Sequence, residues 1–159
     1  MNEPFTIRQA TLDDIPVIVT HRRKMFEDIG MGTPQVLDAM ESRFVTWARE
    51  HMENERYLSW FAVTPEDKVV SGVGLWLMDW PSHIVGESLY RGYLLNVYTD
   101  PDYRRNGLGR MLTQCAVDWC WENDIEVVVL HASNQGRPIY EALGFTPTNE
   151  MRLMKPQST

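Results

Sequence analysis

The stretch NVYTDPDYRRNGLGRML, residues 96–112, decides how the chain folds. Its opening residues close an alternating apolar run, and Asp100-Pro101 ends that strand. Beyond it, Leu108, Leu112, Cys115, Ala116 and Trp119 recur at helical spacing, so a helix runs from about Gly109 to Asn123. A helix start leaves several N–H groups unpaired and carries about half a positive charge. Gly107 and Gly109 remove the side chains that would keep a phosphate from that backbone. Arg104, Arg105 and Arg110 add positive charge. Two readings stand here, an anion-cradling loop and a plain glycine turn with solvated arginines. A Walker loop is excluded, because no Lys-Ser/Thr follows the glycines. A dinucleotide fingerprint fits poorly, because Leu112 replaces its third glycine.

Working outward, residues 5–8 read as a short strand, and Thr11-Leu12-Asp13-Asp14 as a capped helix start. Ile15, Ile18, Val19, Arg22 and Phe26 share one helical face. After Gly30–Pro34 a second helix carries Val36, Leu37, Met40, Phe44, Trp47 and Ala48 on its apolar stripe. Residues 57–64 and 68–80 form a hairpin, 81–88 a loop and 90–99 a further strand. Downstream, residues 126–132 hold the run VVVL, a strand covered on both faces. A short helix ends at Leu143 before Gly144, and residues 151–154 make a last strand. The order β-α-α-β-β-β-α-β-α-β predicts an α/β fold, a mixed sheet with helices on both sides.

The chain has 159 residues, 43% apolar and 23% charged, the size of one domain. No apolar run approaches the ~20 residues that span a bilayer. The opening MNEPFTIRQA has neither a basic start nor an apolar core, so a cytoplasmic protein is expected. A net charge of −7, from 22 acidic against 15 basic residues, disfavours a general nucleic-acid binder. Twelve of the basic residues are Arg, whose planar fork grips phosphate or carboxylate at two points. Cys115 and Cys120 lie on one helix about 140° apart, too divergent to bridge. They read as small buried hydrophobes. The four histidines have no metal-ligand spacing, so no metal is expected.

Arg104-x-x-Gly107-x-Gly109 resembles the [Q/R]-x-x-G-x-[G/A] loop of the GNAT superfamily, the acyl-CoA-dependent N-acyltransferases. Downstream, IEVVVLHASNQGRPIYEALGF resembles that superfamily's strand, its N-x-x-A-x-x-L-Y segment and its terminal Gly-Phe. The two motifs stand in the superfamily's order, about 25 residues apart on the expected elements. The resemblance implies one N-acetyltransferase domain over residues 1–159, its motif core about 5–155. It also implies a mixed, mostly antiparallel sheet of about six to seven strands flanked by four helices.

Residue by residue, the resemblance implies acetyl-CoA as co-substrate. Backbone amides of Arg105, Asn106, Gly107, Leu108, Gly109 and Arg110 would hold its pyrophosphate, with Arg104 opening the motif. A bulge in the preceding strand would let main-chain groups of Val97, Tyr98 and Thr99 pair with the pantetheine arm and polarise the thioester carbonyl. Tyr140 would assist the departing thiolate. A free Tyr titrates near ~10 and a thiol near ~8.5, so a hydrogen bond supplies most of the effect unless the site shifts these values. Ser133 stands where the superfamily usually has Asn, with Asn134 beside it, and either would bond the coenzyme arm. Gly136 replaces the usual alanine, and Arg137 either faces the nucleotide phosphates or is solvated.

The acceptor side is less determined. The expected partner is a small-molecule amine or a protein amino group, without nucleic acid or membrane, and a homodimer is allowed. Asp79 and Glu87 are candidate bases that no spacing singles out. Trp60, Trp76, Trp119 and Trp47 read as core, whereas Trp80 and Trp121 could line an acceptor pocket. Arg22-Arg23-Lys24 reads as a solvated face. Rival functions are a non-catalytic acyl-CoA-binding regulatory module and an acetyltransferase of RNA-linked substrates.

Overall fold

The computed structural model describes residues 4–158; the first three residues of the opening decapeptide and Thr159 of the expected domain lie outside them. The order is β1 (Thr6–Gln9), α1 (Ile15–Asp28), α2 (Pro34–Glu53), β2 (Tyr57–Val63), β3 (Val69–Asp79), β4 (Tyr90–Thr99), α3 (Leu108–Glu122), β5 (Val128–Leu130) and α4 (Arg137–Ala142). Single 3-10 turns lie at Leu12–Asp14 and Pro101–Tyr103. The turn before α1 is locked by Asp14, whose carboxylate accepts from the Thr11 N–H at 2.8 Å and from Arg8 at 2.8 and 2.9 Å. Arg8 holds that carboxyl below its ordinary range. At α2, Thr33 Oγ1 accepts from the Val36 N–H, and Pro34 fills the first helical position.

The five strands form one sheet in chain order. β1 to β4 pair antiparallel, and β4 pairs parallel with β5 through the α3 crossover. α1 and α2 cover one face, where Ile15, Ile18, Phe44 and Ala48 meet Tyr57, Phe61 and Val63. α3 covers the other, where Leu108, Leu112, Ala116 and Cys120 meet Val73, Leu75 and Leu94. The mixed sheet with helices on both sides is as expected.

Two expectations at the C-terminal end fail. β5 is three residues long and half-buried, not a covered strand over 126–132. The strand expected over 151–154 does not form, and Met151 and Leu153 are 93% and 97% exposed. With residues 151–154 exposed rather than laid beside it, β5 is the edge strand, paired only with β4. The sheet therefore has five strands where about six to seven were expected. Among the described residues no helix is long and apolar enough to cross a membrane.

Candidate active site

β4 pairs with β3 from Tyr90 to Thr99, yet with β5 only at Gly92, Tyr93 and Leu94. Past Leu94 one edge of β4 is open. Where β3 advances from Gly72 to Gly74, β4 advances from Tyr98 to Leu95, so β4 holds one extra residue, a bulge. Asn96 carries the turn with φ 55°, a left-handed backbone that Asn tolerates better than most residues. Its Oδ1 accepts from Arg22 Nη1 at 2.8 Å, and its Nδ2 donates to the Tyr57 hydroxyl at 3.2 Å. The bulge that the resemblance implied is present. Val97 packs toward α3, Tyr98 is buried against His21 with ring centroids 4.9 Å apart, and Thr99 Oγ1 lies 2.8 Å from Ser71 Oγ. Their side chains are anchored, which fixes the main chain at the open edge.

The loop into α3 has two left-handed residues, Arg105 (φ 65°) and Gly107 (φ 73°). Alternating handedness curls successive N–H groups into a concavity suited to an anion. Among the described residues, no acceptor meets the backbone N–H of Arg105, Asn106, Gly107, Leu108, Gly109 or Arg110. Asn106 Nδ2 donates to the Tyr103 carbonyl at 2.9 Å, and buried Leu108 pins the helix start. The Arg104 side chain is drawn elsewhere, with Nη2 2.6 Å from Asp28 and Nε donating to the Thr99 carbonyl. Arg105 and Arg110 have no ion-pair partner among the described residues.

α4 packs beside the first turn of α3, with Ile139 Cδ1 4.0 Å from where a Cβ on Gly109 would sit. Tyr140 is buried against Phe145, ring centroids 5.9 Å apart, and its hydroxyl has no hydrogen-bond partner among the described residues. Burial pushes its pKa up, so it stays a protonated donor. A Cβ on Gly136 would come within 3.0 Å of the Tyr140 ring, which explains glycine at that position. Ser133 starts the helix: its Oγ accepts from the Gly136 N–H and its carbonyl from the Arg137 N–H. Asn134 is exposed beside it, and Arg137 pairs with Glu141 at 2.7 Å.

The acetyltransferase (GNAT) family model matches residues 23–145. A GCN5-related N-acetyltransferase from Ralstonia eutropha JMP134 is 32% identical over 97% of this chain and 99% of its own, with a TM-score of 0.87. The chain belongs to the GNAT acetyltransferase family. A predicted acetyltransferase from Clostridium acetobutylicum, solved with acetyl-CoA, is 25% identical over 96% of each chain with a TM-score of 0.84. Glucosamine-6-phosphate N-acetyltransferase from Arabidopsis thaliana shares the fold at 17% identity, a TM-score of 0.69, and coverage of 98% of this chain and 100% of its own. No curated protein sequence matches the chain. The protein is an acyltransferase, and the acetyl donor of its family is acetyl-CoA. Six unpaired amides beside an open strand edge fit that anionic, amide-bearing donor.

On the opposite face of β4, a cavity of about 400 Å³ is lined by Arg22, Met40, Arg43, Phe44, Trp47, Trp76, Tyr93 and Leu95. Asp79 and Glu87 are exposed and do not line it. Neither does Trp80, whose ring is covered by the Arg91 guanidinium at 3.8 Å, nor Trp121 on α3; Trp47 and Trp76, expected in the core, line it instead. Arg22 is no part of a solvated face: it is half-buried over Phe44 and Phe26, whereas Arg23 pairs with Glu27, Asp38 and Glu41. The sequence signal was its place on the buried stripe of α1. The Tyr93 hydroxyl lies 2.7 Å from His131 Nδ1, a pair 38 residues apart that no local pattern announces. A larger depression of about 880 Å³ between β1 and the outer flank of α3 includes neither Tyr140 nor the open edge of β4. Burial pushes both thiols up, Cys120 to about 12, so neither serves as a nucleophile.

Proposed function

We propose that the protein acetylates a small amine or a protein amino group by direct attack, with no covalent enzyme intermediate. The observation that carries this reading is the run of six unpaired amides, Arg105 to Arg110, beside the open edge of β4. Acetyl-CoA supplies the acetyl carbon to which the amine nitrogen bonds as the carbon–sulfur bond breaks, the electron pair leaving with sulfur. The loop amides hold the pyrophosphate, and Ser133 or Asn134 holds the coenzyme arm at the β5–α4 turn. Main-chain groups of Val97, Tyr98 and Thr99 polarise the acetyl carbonyl, a contribution of ~3–4 kcal/mol per donor in such sites. Tyr140 donates a hydrogen bond to the departing sulfur.

An alkyl amine with a pKa near ~10.4 is only about one part in 2,500 neutral at pH 7, so the amine's proton needs a route. Tyr93 lines the cavity and touches His131. With His131 Nδ1 unprotonated, Tyr93 takes the amine's proton as it passes its own to His131. The test is an amine panel with acetyl-CoA, following thiol release, beside calorimetry of acetyl-CoA alone. Acetyl-CoA binding with amine-dependent thiol release is the expected result. Binding without release on any amine would favour a regulatory module and overturn the reading.

A further inference from the structure

The cavity beside the bulge holds a half-buried cation without a counter-ion. Arg22 Nε is buried and meets no acceptor among the described residues. One guanidinium N–H reaches the neutral side chain of Asn96, and the rings of Phe44 and Phe26 lie 4.7 and 5.2 Å away. No carboxylate of the described residues lies within 4.0 Å of Arg22, in a chain with 22 acidic residues. Burial pulls its pKa down, the mark of a desolvated charge. Arg43 lines the same cavity, also without an ion pair, and no Asp or Glu lines it. Its remaining walls are Met40, Phe44, Trp47, Trp76, Tyr93 and Leu95, and Leu95 adjoins the bulge. A half-buried guanidinium without a partner is costly, and a carboxylate fits its planar fork at two points.

Resting on the acetyl transfer proposed above, we infer that the acceptor is an amine that itself carries a carboxylate on an apolar or aromatic body. Arg22 binds the carboxylate, with Arg43 adding charge at the rim. Trp47 and Trp76 pack on the body, and the amine points to the bulge, where β4 is open. The two guanidiniums repel polycationic acceptors such as polyamines. The apolar walls offer little to the hydroxyls of an amino sugar.

The test compares leucine and phenylalanine with their methyl esters, spermidine and glucosamine 6-phosphate, all in the thiol-release assay. The ester amines are weaker bases with more of the neutral form, so a preference for the free acids runs against intrinsic reactivity. The expected result is kcat/KM at least ~10-fold higher for an acid than for its ester, as a charge-assisted contact provides. Arg22→Met should raise KM for the acid by ~10- to 100-fold and leave the ester almost unchanged. Asn96→Asp, a near-isostere that hands Arg22 an internal carboxylate, should likewise raise KM for the acid. Calorimetry of phenylalanine with the protein alone should lose its heat in both variants, a readout independent of turnover. Esters, spermidine or the phosphosugar acetylated as well as the acids would overturn this inference and leave acetyl transfer standing. Acid-over-ester discrimination that survives in folded Arg22→Met would overturn it too. Thiol release with no amine at all would instead strike the underlying reading.

Discussion

The Tyr140 hydroxyl has no hydrogen-bond partner among the described residues, unlike the buried hydroxyls of Tyr57 and Ser71. Replacing the residue with Phe removes no internal bond and keeps the ring against Phe145 and Gly136. Stability should therefore hold, with a melting temperature unchanged within error. Burial raises its pKa further above that of a thiol, so full proton transfer to sulfur is uphill and hydrogen bonding carries the effect. Tyr140→Phe should lower turnover by ~10- to 10⁴-fold with little change in acetyl-CoA affinity, read by steady-state kinetics beside calorimetry. Full activity in the folded variant would withdraw Tyr140 from the chemistry. His131, whose ring is largely exposed, adds little packing. His131→Ala should lower kcat with melting unchanged, whereas unchanged kcat would leave the amine's proton to solvent.

The loop between β4 and α3 was legible in sequence because its requirement is local. Glycine spacing, a stopped strand and a helical stripe all fall between residues 96 and 119. The bulge was not legible, since it is a register offset against β3 and shows only when Gly72 and Gly74 are seen facing Tyr98 and Leu95. Likewise the short β5 and the unformed last strand depend on an edge partner, which alternation in MRLM cannot report. The local requirement can be tested. A Cβ at residue 107 would meet nothing within 4 Å, but φ of 73° costs a non-glycine residue ~1–2 kcal/mol, more if β-branched. Gly107→Val should therefore stay folded while the amide cradle flattens, lowering acetyl-CoA affinity by at least ~10-fold. Gly107→Asn, which tolerates the left-handed backbone, should retain most of that affinity. Equal calorimetric affinity in wild type and Gly107→Val would remove the loop from the binding site.

Charge and burial act over the whole molecule, and each sets an expectation there. With −7 net charge, 22 acidic residues against 15 basic, long phosphate backbones are repelled from most of the surface. Binding of a 20-mer RNA at physiological salt should be undetectable by fluorescence anisotropy; tight binding would reverse the reading of the acceptor. Burial matters most at His21, packed between Phe61 and Tyr98 where α1 meets the sheet. Sequence patterning put α1 on the sheet but said nothing of a histidine inside that contact, because titration depends on the assembled neighbours. Desolvation first, then Lys24, lowers its pKa from 6.5 to about 4. The folded state thus refuses a proton that the unfolded chain accepts. Stability is complete above pH 6.5, falls as pH drops through the window from 6.5 to 4, and loses about 3 kcal/mol across it. At pH 5 the loss is about 2 kcal/mol, or ~4–8 °C in Tm for a chain of this size. Asp14, whose pKa lies below its ordinary value, loses its own contribution only at more acid pH. His21→Leu keeps an apolar group between the two rings and removes the titration, so its stability should be flat between pH 7.5 and pH 5 where the wild type declines. Denaturant titrations at both pH values give the slopes, and parallel slopes for the two proteins would show that the acid sensitivity arises elsewhere.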